Sequence, residues 1–136
     1  MHKRRILLVD DETGFIRLLK LTLEKTWLYQ VWEQNDPSKA VDAAMKFMPD
    51  LILLDFVMPK IDGVDVARQI RAEPILRETP IVFLSATVQR KDGQPMEIAG
   101  FPALAKPIGV KELLEAIEAN LSSAVEESRD LPSHGR

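Results

Sequence analysis

A chain of 136 residues, 46% of them hydrophobic, has the length of one ordinary domain and enough apolar side chains for one sizeable core. Its formal net charge of −3 excludes the basic excess that holds nucleic acid or an anionic membrane. The absence of cysteine excludes a disulfide framework, a thiolate metal site and a cysteine nucleophile.

Lys3-Arg4-Arg5 reads as a solvated start to a first strand, Arg5–Val9, whose apolar run is too short for a signal peptide or a membrane span. A cytoplasmic protein is expected. Phe15, Leu18, Leu19 and Leu23 recur at three- and four-residue spacing and predict a helix from Thr13 to Lys25. Tyr29–Gln34 is a second strand, polar enough to suit an edge, and Trp27 and Trp32 are expected to pack around it. Asp36-Pro37 is an N-cap with proline at the first helical position, opening a helix with the stripe Ala40, Val41, Ala44 and Phe47.

Leu51–Leu54 is a third, wholly apolar strand. After the turn residues Met58-Pro59 and Asp62-Gly63, a helix carries Val64, Val66, Ala67 and Ile70 as far as Pro74. Ile81–Leu84 is a fourth strand, and the crossover from Val88 to Gly100 is interrupted by Asp92-Gly93 and Pro95, which predicts an irregular or shortened fourth helix. Ala103–Ala105 is a fifth strand, followed by a helix from Val110 to Leu121. The polar stretch 122–136 is expected to be a disordered tail or the start of a linker, which leaves a domain over 3–121. Strands alternating with helices predict an α/β protein with a five-stranded parallel sheet.

In open parallel sheets, ligands bind beyond the carboxyl ends of the strands. The residues there are Asp10 and Asp11 after the first strand, Asp55 after the third, Ser85 after the fourth and Lys106 after the fifth. Clustered carboxylates supply the hard oxygen ligands that Mg²⁺ takes, and a carboxylate can act as a nucleophile toward phosphorus. A hydroxyl and an ammonium nearby suit the phosphoryl oxygens. Taken singly, each acid reads equally well as an N-cap or turn residue, and Glu12 as a first-turn acid favoured by the helix dipole. The set of five residues carries the inference.

At these residues the chain resembles the receiver domain of two-component response regulators. The matching pieces are Leu7-Leu8-Val9-Asp10-Asp11-Glu12, Leu53-Leu54-Asp55-Phe56-Val57-Met58-Pro59 with Asp62-Gly63, Phe83-Leu84-Ser85-Ala86 and Ala105-Lys106-Pro107. The resemblance implies a doubly wound, flavodoxin-like sheet of strand order 2-1-3-4-5. It implies that Asp55 accepts a phosphoryl group from a histidine kinase or phosphotransfer protein, with Ser85 and Lys106 binding that group. Mg²⁺ would be held by Asp11, Asp55 and the backbone carbonyl of Val57, with Asp10 acting mainly through water. The Lys106–Pro107 bond would be cis. Such a protein signals by contact, with an output protein or as a homodimer. It makes no nucleic-acid or membrane contact of its own and turns over nothing but its own phosphate.

Three positions leave the family pattern. Ala103 stands where many receivers carry an aromatic residue, and Val57 stands where a polar side chain could orient the hydrolytic water. The interrupted fourth crossover lies on the surface that receivers commonly use for output, so output is expected through its rearrangement. Two other readings compete: a pseudo-receiver that signals without phosphate, and a small phosphohydrolase of the haloacid dehalogenase type. The second would need an acid at Val57.

Overall fold

The computed structural model describes the backbone of residues 2–87 and 96–130 and the side chains of 2–87 and 96–123. The chain runs β1 (Arg4–Val9), α1 (Thr13–Glu24), β2 (Tyr29–Gln34), α2 (Ala40–Phe47), β3 (Leu51–Asp55), β4 (Val57–Met58), β5 (Ile61–Asp62) and α3 (Gly63–Ala72). It continues through β6 (Ile81–Ser85), β7 (Glu97–Ile98), β8 (Phe101–Ala105) and α4 (Val110–Asp130). Every residue of β3 and β6 is buried, as strands covered on both faces must be.

The sheet has the order β2-β1-β3-β6-β8-β7, and all its pairs are parallel except β7 with β8. The five parallel strands therefore have the expected 2-1-3-4-5 order of a flavodoxin-like fold. Because side chains alternate along a strand, each strand feeds two cores. Leu7, Val9, Ile52, Leu54 and Phe83 meet α2 and α3 on one face. Ile6, Leu8, Leu53, Val82 and Leu84 meet α1 and α4 on the other.

Local signals set the helix starts. Asp62 accepts the Val64 N–H at 2.9 Å and caps α3. Asp36 likewise accepts the Ser38 N–H at 3.0 Å, but the helix it caps is a short 3-10 turn, Pro37–Lys39, that leads into α2. Gly63 lies against the end of β3, where a Cβ would come within 2.7 Å of the Phe56 carbonyl oxygen and 2.9 Å of that of Asp55. The absent side chain lets α3 begin directly beneath the residue that ends β3.

The structure departs from the sequence reading at four places. The buried residues of α1 are Ile16, Leu19 and Leu23, whereas Leu18 is exposed and Phe15 half-buried. Trp27 does not pack inside: it is 77% exposed, with the Lys3 ammonium 4.9 Å from its ring. Of the crossover 88–100, where an irregular or shortened fourth helix is expected, residues 88–95 lie outside the described residues, and 96–100 hold β7 and the turn of its hairpin with β8. The two turn residues of this hairpin, Ala99 (φ 52°) and Gly100 (φ 85°), both have positive φ, as the tight turns joining twisted strands require. Finally, α4 continues past Leu121 to Asp130. No proline or glycine interrupts 122–130, and extending a formed helix fixes few new dihedrals per hydrogen bond.

Gly63→Ala is expected to destabilise the fold by about 1–3 kcal/mol, since the methyl meets backbone that no rotamer change can clear. Urea denaturation measures the loss. Amide shifts at 55–57 would show that the strain falls on the end of β3.

Candidate functional site

Parallel pairing sets the ends of β1, β3, β6 and β8 side by side. Val9 is opposite Leu54, Asp55 opposite Leu84, and Ser85 opposite Ala105. The residues ending or succeeding these strands consequently share one opening. One carboxylate oxygen from each of Asp10, Asp11 and Asp55 lies within 4.8 Å of the others, with Asp10 and Asp55 buried and Asp11 exposed. The Lys106 ammonium enters from β8 and lies 3.1 Å from Asp10 Oδ2, 3.4 Å from Glu12 Oε1 and 3.5 Å from Asp55 Oδ1. Its backbone N–H donates to the Ser85 carbonyl at 2.8 Å, which fixes the chain just before the cis Lys106–Pro107 bond.

Ser85 is fully buried. Its hydroxyl accepts the Thr87 N–H at 3.1 Å and shares a hydrogen bond with the Thr87 hydroxyl at 2.9 Å. Asp10 Oδ1 accepts the Glu12 N–H at 2.9 Å, a local turn that holds its other oxygen toward Lys106.

Charge is under tension here. Burial first, and then repulsion from Asp10, pushes the Asp55 carboxyl up to about 6, against the pull of Lys106 and of a hydrogen bond from the Val57 backbone. Burial also raises Asp10, opposed by the Glu12 N–H and Lys106. Burial alone would lower Lys106, but its hydrogen bond to Asp10 and the charges of Asp10, Asp55 and Glu12 hold it above its ordinary value. A pocket that holds its carboxylates short of positive charge suits a hard divalent cation: its oxygens are ligands for one, and its raised acids would be relieved by one.

The response regulator receiver domain profile matches residues 6–118. The chain belongs to the response regulator receiver family. Receivers accept phosphoryl groups, interact with histidine kinases or phosphotransfer proteins, and are in the main signalling modules rather than enzymes. Among curated relatives, this receiver is 34% identical over 132 residues to the transcriptional regulatory protein ResD of Bacillus subtilis, covering 93% of this chain and 52% of the relative. It is 34% identical over 122 residues to RpaA of Synechocystis, described as a DNA-binding dual master transcriptional regulator, covering 86% and 48%. The chain thus spans about half the length of these curated relatives. Among solved structures it resembles the receiver domain of the sensor histidine kinase PA1611 of Pseudomonas aeruginosa, with a TM-score of 0.77, 30% identity, and coverage of 89% of this chain and 99% of that one. That structure is described with a magnesium ion coordinated in its active-site cleft.

The strand ends bring the receiver's Asp10, Asp11, Asp55 and Lys106 together, and Ser85 ends the strand between those of Asp55 and Lys106. Val57, whose carbonyl is the remaining expected ligand, begins β4 and is 58% exposed. Glu12 and Phe15 take part as well. Glu12 occupies the N-cap position of α1 without capping it and points instead at Lys106. The Phe15 ring lies 4.3 Å from the same ammonium. Adjacency to the Asp pair was a signal for Glu12; Phe15 gave none beyond its place in an apolar stripe. Among the described residues, no helix is long and apolar enough to cross a membrane.

The raised Asp55 has a measurable sign. Its folded-state value of about 6 lies above the ordinary 3.8, so the native protein keeps a proton that the unfolded chain releases. The metal-free fold therefore loses stability as pH rises from 3.8 to about 6, by ~3 kcal/mol for a shift of about two units. In metal-free buffer Asp55→Asn is expected to match the wild type near pH 4 and exceed its stability by about 2–3 kcal/mol near pH 7. Urea melts across that range measure the gap, and Mg²⁺ should narrow it.

Proposed function

We propose that the chain is a phosphorylation-controlled signalling module whose phosphoacceptor is Asp55. The observation that carries this reading is the pairing of three carboxylates within 4.8 Å of one another with Lys106 lying between Asp10 and Asp55. Asp11, Asp55 and the Val57 carbonyl would hold Mg²⁺, with Asp10 acting through water. Bound there, the ion would neutralise charge on the phosphoryl oxygens and on the acids around them.

This chain's own residues supply the rest. An Asp55 carboxylate oxygen attacks phosphorus as the P–N bond of a kinase or phosphotransfer-protein phosphohistidine breaks, and the departing imidazole nitrogen keeps the electron pair. Lys106, already within 3.5 Å of Asp55 Oδ1, exchanges that contact for a phosphoryl oxygen. Ser85 donates its hydroxyl to a second oxygen once its hydrogen bond with Thr87 opens. The same exchange of partners pulls the ends of β6 and β8 toward β3, which alters the surface beyond them and makes output a matter of protein contact. That contact is with a separate output protein, a second copy or a further domain joined through the segment after Leu121.

Wild-type protein with acetyl phosphate and Mg²⁺ should take up one phosphoryl group, seen as a mass increase. Asp55→Ala and excess chelator should each abolish it; uptake that persists in Asp55→Ala would overturn the assignment. The exposed, apolar Val57 cannot orient a hydrolytic water, so the phosphorylated state is long-lived. Val57→Asn is expected to shorten its lifetime several-fold, as monitored by loss of label after donor removal.

A further inference from the structure

Phe15 lies in the first turn of α1, half-buried and outside that helix's set of buried residues, Ile16, Leu19 and Leu23. Its ring centroid is 4.3 Å from Lys106 Nζ, inside the ~6 Å reach of a cation–π contact. The lysine side chain is 13% exposed, so the contact is largely desolvated and stronger than its surface equivalent. Asp10, Glu12 and Asp55 lie around the same ammonium at 3.1–3.5 Å. The ring borders the site on a further side.

We propose that Phe15 is a positioning residue for Lys106, its ring face holding the ammonium over the phosphoacceptor. This rests on the reading of Asp55 and Lys106 given above. A lysine has four rotatable side-chain bonds, and its carboxylate partners here differ in exposure: Asp10 and Asp55 are buried, while the Glu12 side chain is 66% exposed. Without the ring, water reaches the ammonium and the long side chain can swing outward with Glu12. With it, water is excluded from one side. The ring also tolerates sliding, because the attraction comes from a diffuse quadrupole and not from a directed lone pair. The ammonium can therefore move from Asp55 Oδ1 to a phosphoryl oxygen borne on that same residue while it keeps its aromatic contact. A hydrogen-bond acceptor at position 15 would have to be released and replaced during that move.

The rival account is that Phe15 only fills space beside the core of α1 and α4, against which it packs. Phe15→Leu separates the two, because it keeps an apolar side chain and removes the ring face; Phe15→Met serves if the leucine variant folds poorly. With acetyl phosphate and Mg²⁺ both saturating, Phe15→Leu should lower the maximal labelling rate about five-fold and leave the half-saturating Mg²⁺ concentration unchanged. Phe15→Tyr should restore the rate, and in a Lys106→Met background Phe15→Leu should cost nothing further. A wild-type rate in Phe15→Leu, or an equal loss in Phe15→Tyr, overturns the proposal, as does an undiminished loss in the Lys106→Met background. If the wild type takes no label, the assignment of Asp55 fails, and the contact is decided on its own by NMR. The Lys106 ε-methylene protons should be shifted upfield by the ring, and the shift should vanish in Phe15→Leu. Shifts that match in the two proteins would refute the contact.

Discussion

Two carboxylates, Asp10 and Asp55, are buried at adjacent strand ends, and the rest of the site depends on that. Burial holds both carboxyls above their ordinary value and the charge of Asp10 raises Asp55 further, so neither would be stable there unless a cation came to them. Lys106 is that cation. It stands at the end of β8, two strands from Asp55 and three from Asp10, so its ammonium spans the sheet at its carboxyl edge. Several features serve that reach: the Lys106 N–H bonded to Ser85, the Glu12 N–H bonded to Asp10, and the bare Cα of Gly63 under the end of β3. Among the described residues no buried side-chain nitrogen or oxygen lacks a hydrogen-bond partner, yet Asp55 still sits at about 6. The hydrogen bonding is complete while the charge balance is not. A site in that condition would be relieved by further positive charge, from a proton or a divalent ion.

The parallel strands were legible because burial on both faces leaves little choice of residue: Ile6–Val9, Leu51–Leu54 and Ile81–Leu84 can be little else. The acids at their ends were legible for the opposite reason, since a carboxylate at the end of such a run is costly unless used. The features not legible in the sequence depend on orientation. Beside Leu19 and Leu23 the stripe of α1 could take in Phe15 and Leu18 or Ile16, and the helix rotation that decides between them is set by β1, β2 and α4 together. That rotation leaves Phe15 at the edge of the core and sets it beside Lys106, more than ninety residues away in the chain. Trp27 escaped for a related reason: with φ at 63° in the turn before β2, its backbone carries the side chain outward despite its hydrophobicity. The β7–β8 hairpin was hidden because Ala-Gly is a weaker turn signal than Asn-Gly, and alanine bears a positive φ there that it seldom adopts.

The small residue at 103 is compensated within the same face of the sheet. Because β8 begins at Phe101, two residues earlier, Phe101 and Ala103 point the same way, and the ring occupies space beside Phe83. The Phe83 and Phe101 rings meet edge to face at 5.5 Å, and Phe83 meets Phe56, the neighbour of Asp55, in the same manner at 5.7 Å. Phe101 also lies 5.6 Å from the Arg71 guanidinium, which is itself fastened to the carbonyls of Leu76, Arg77 and Thr79. A swing of Phe101 alone would give up an aromatic contact and a cation–π contact together. The aromatic ring on this face of the sheet therefore contacts both a core ring and a tethered arginine. Displacement at Asp55 meets a continuous row, Phe56–Phe83–Phe101, that ends on a hairpin strand whose other arm, β7, forms the edge of the sheet. Edge strands are held by one neighbour only: β7 has ladder partners in β8 alone, whereas β8, which carries Phe101, is paired with β6 as well.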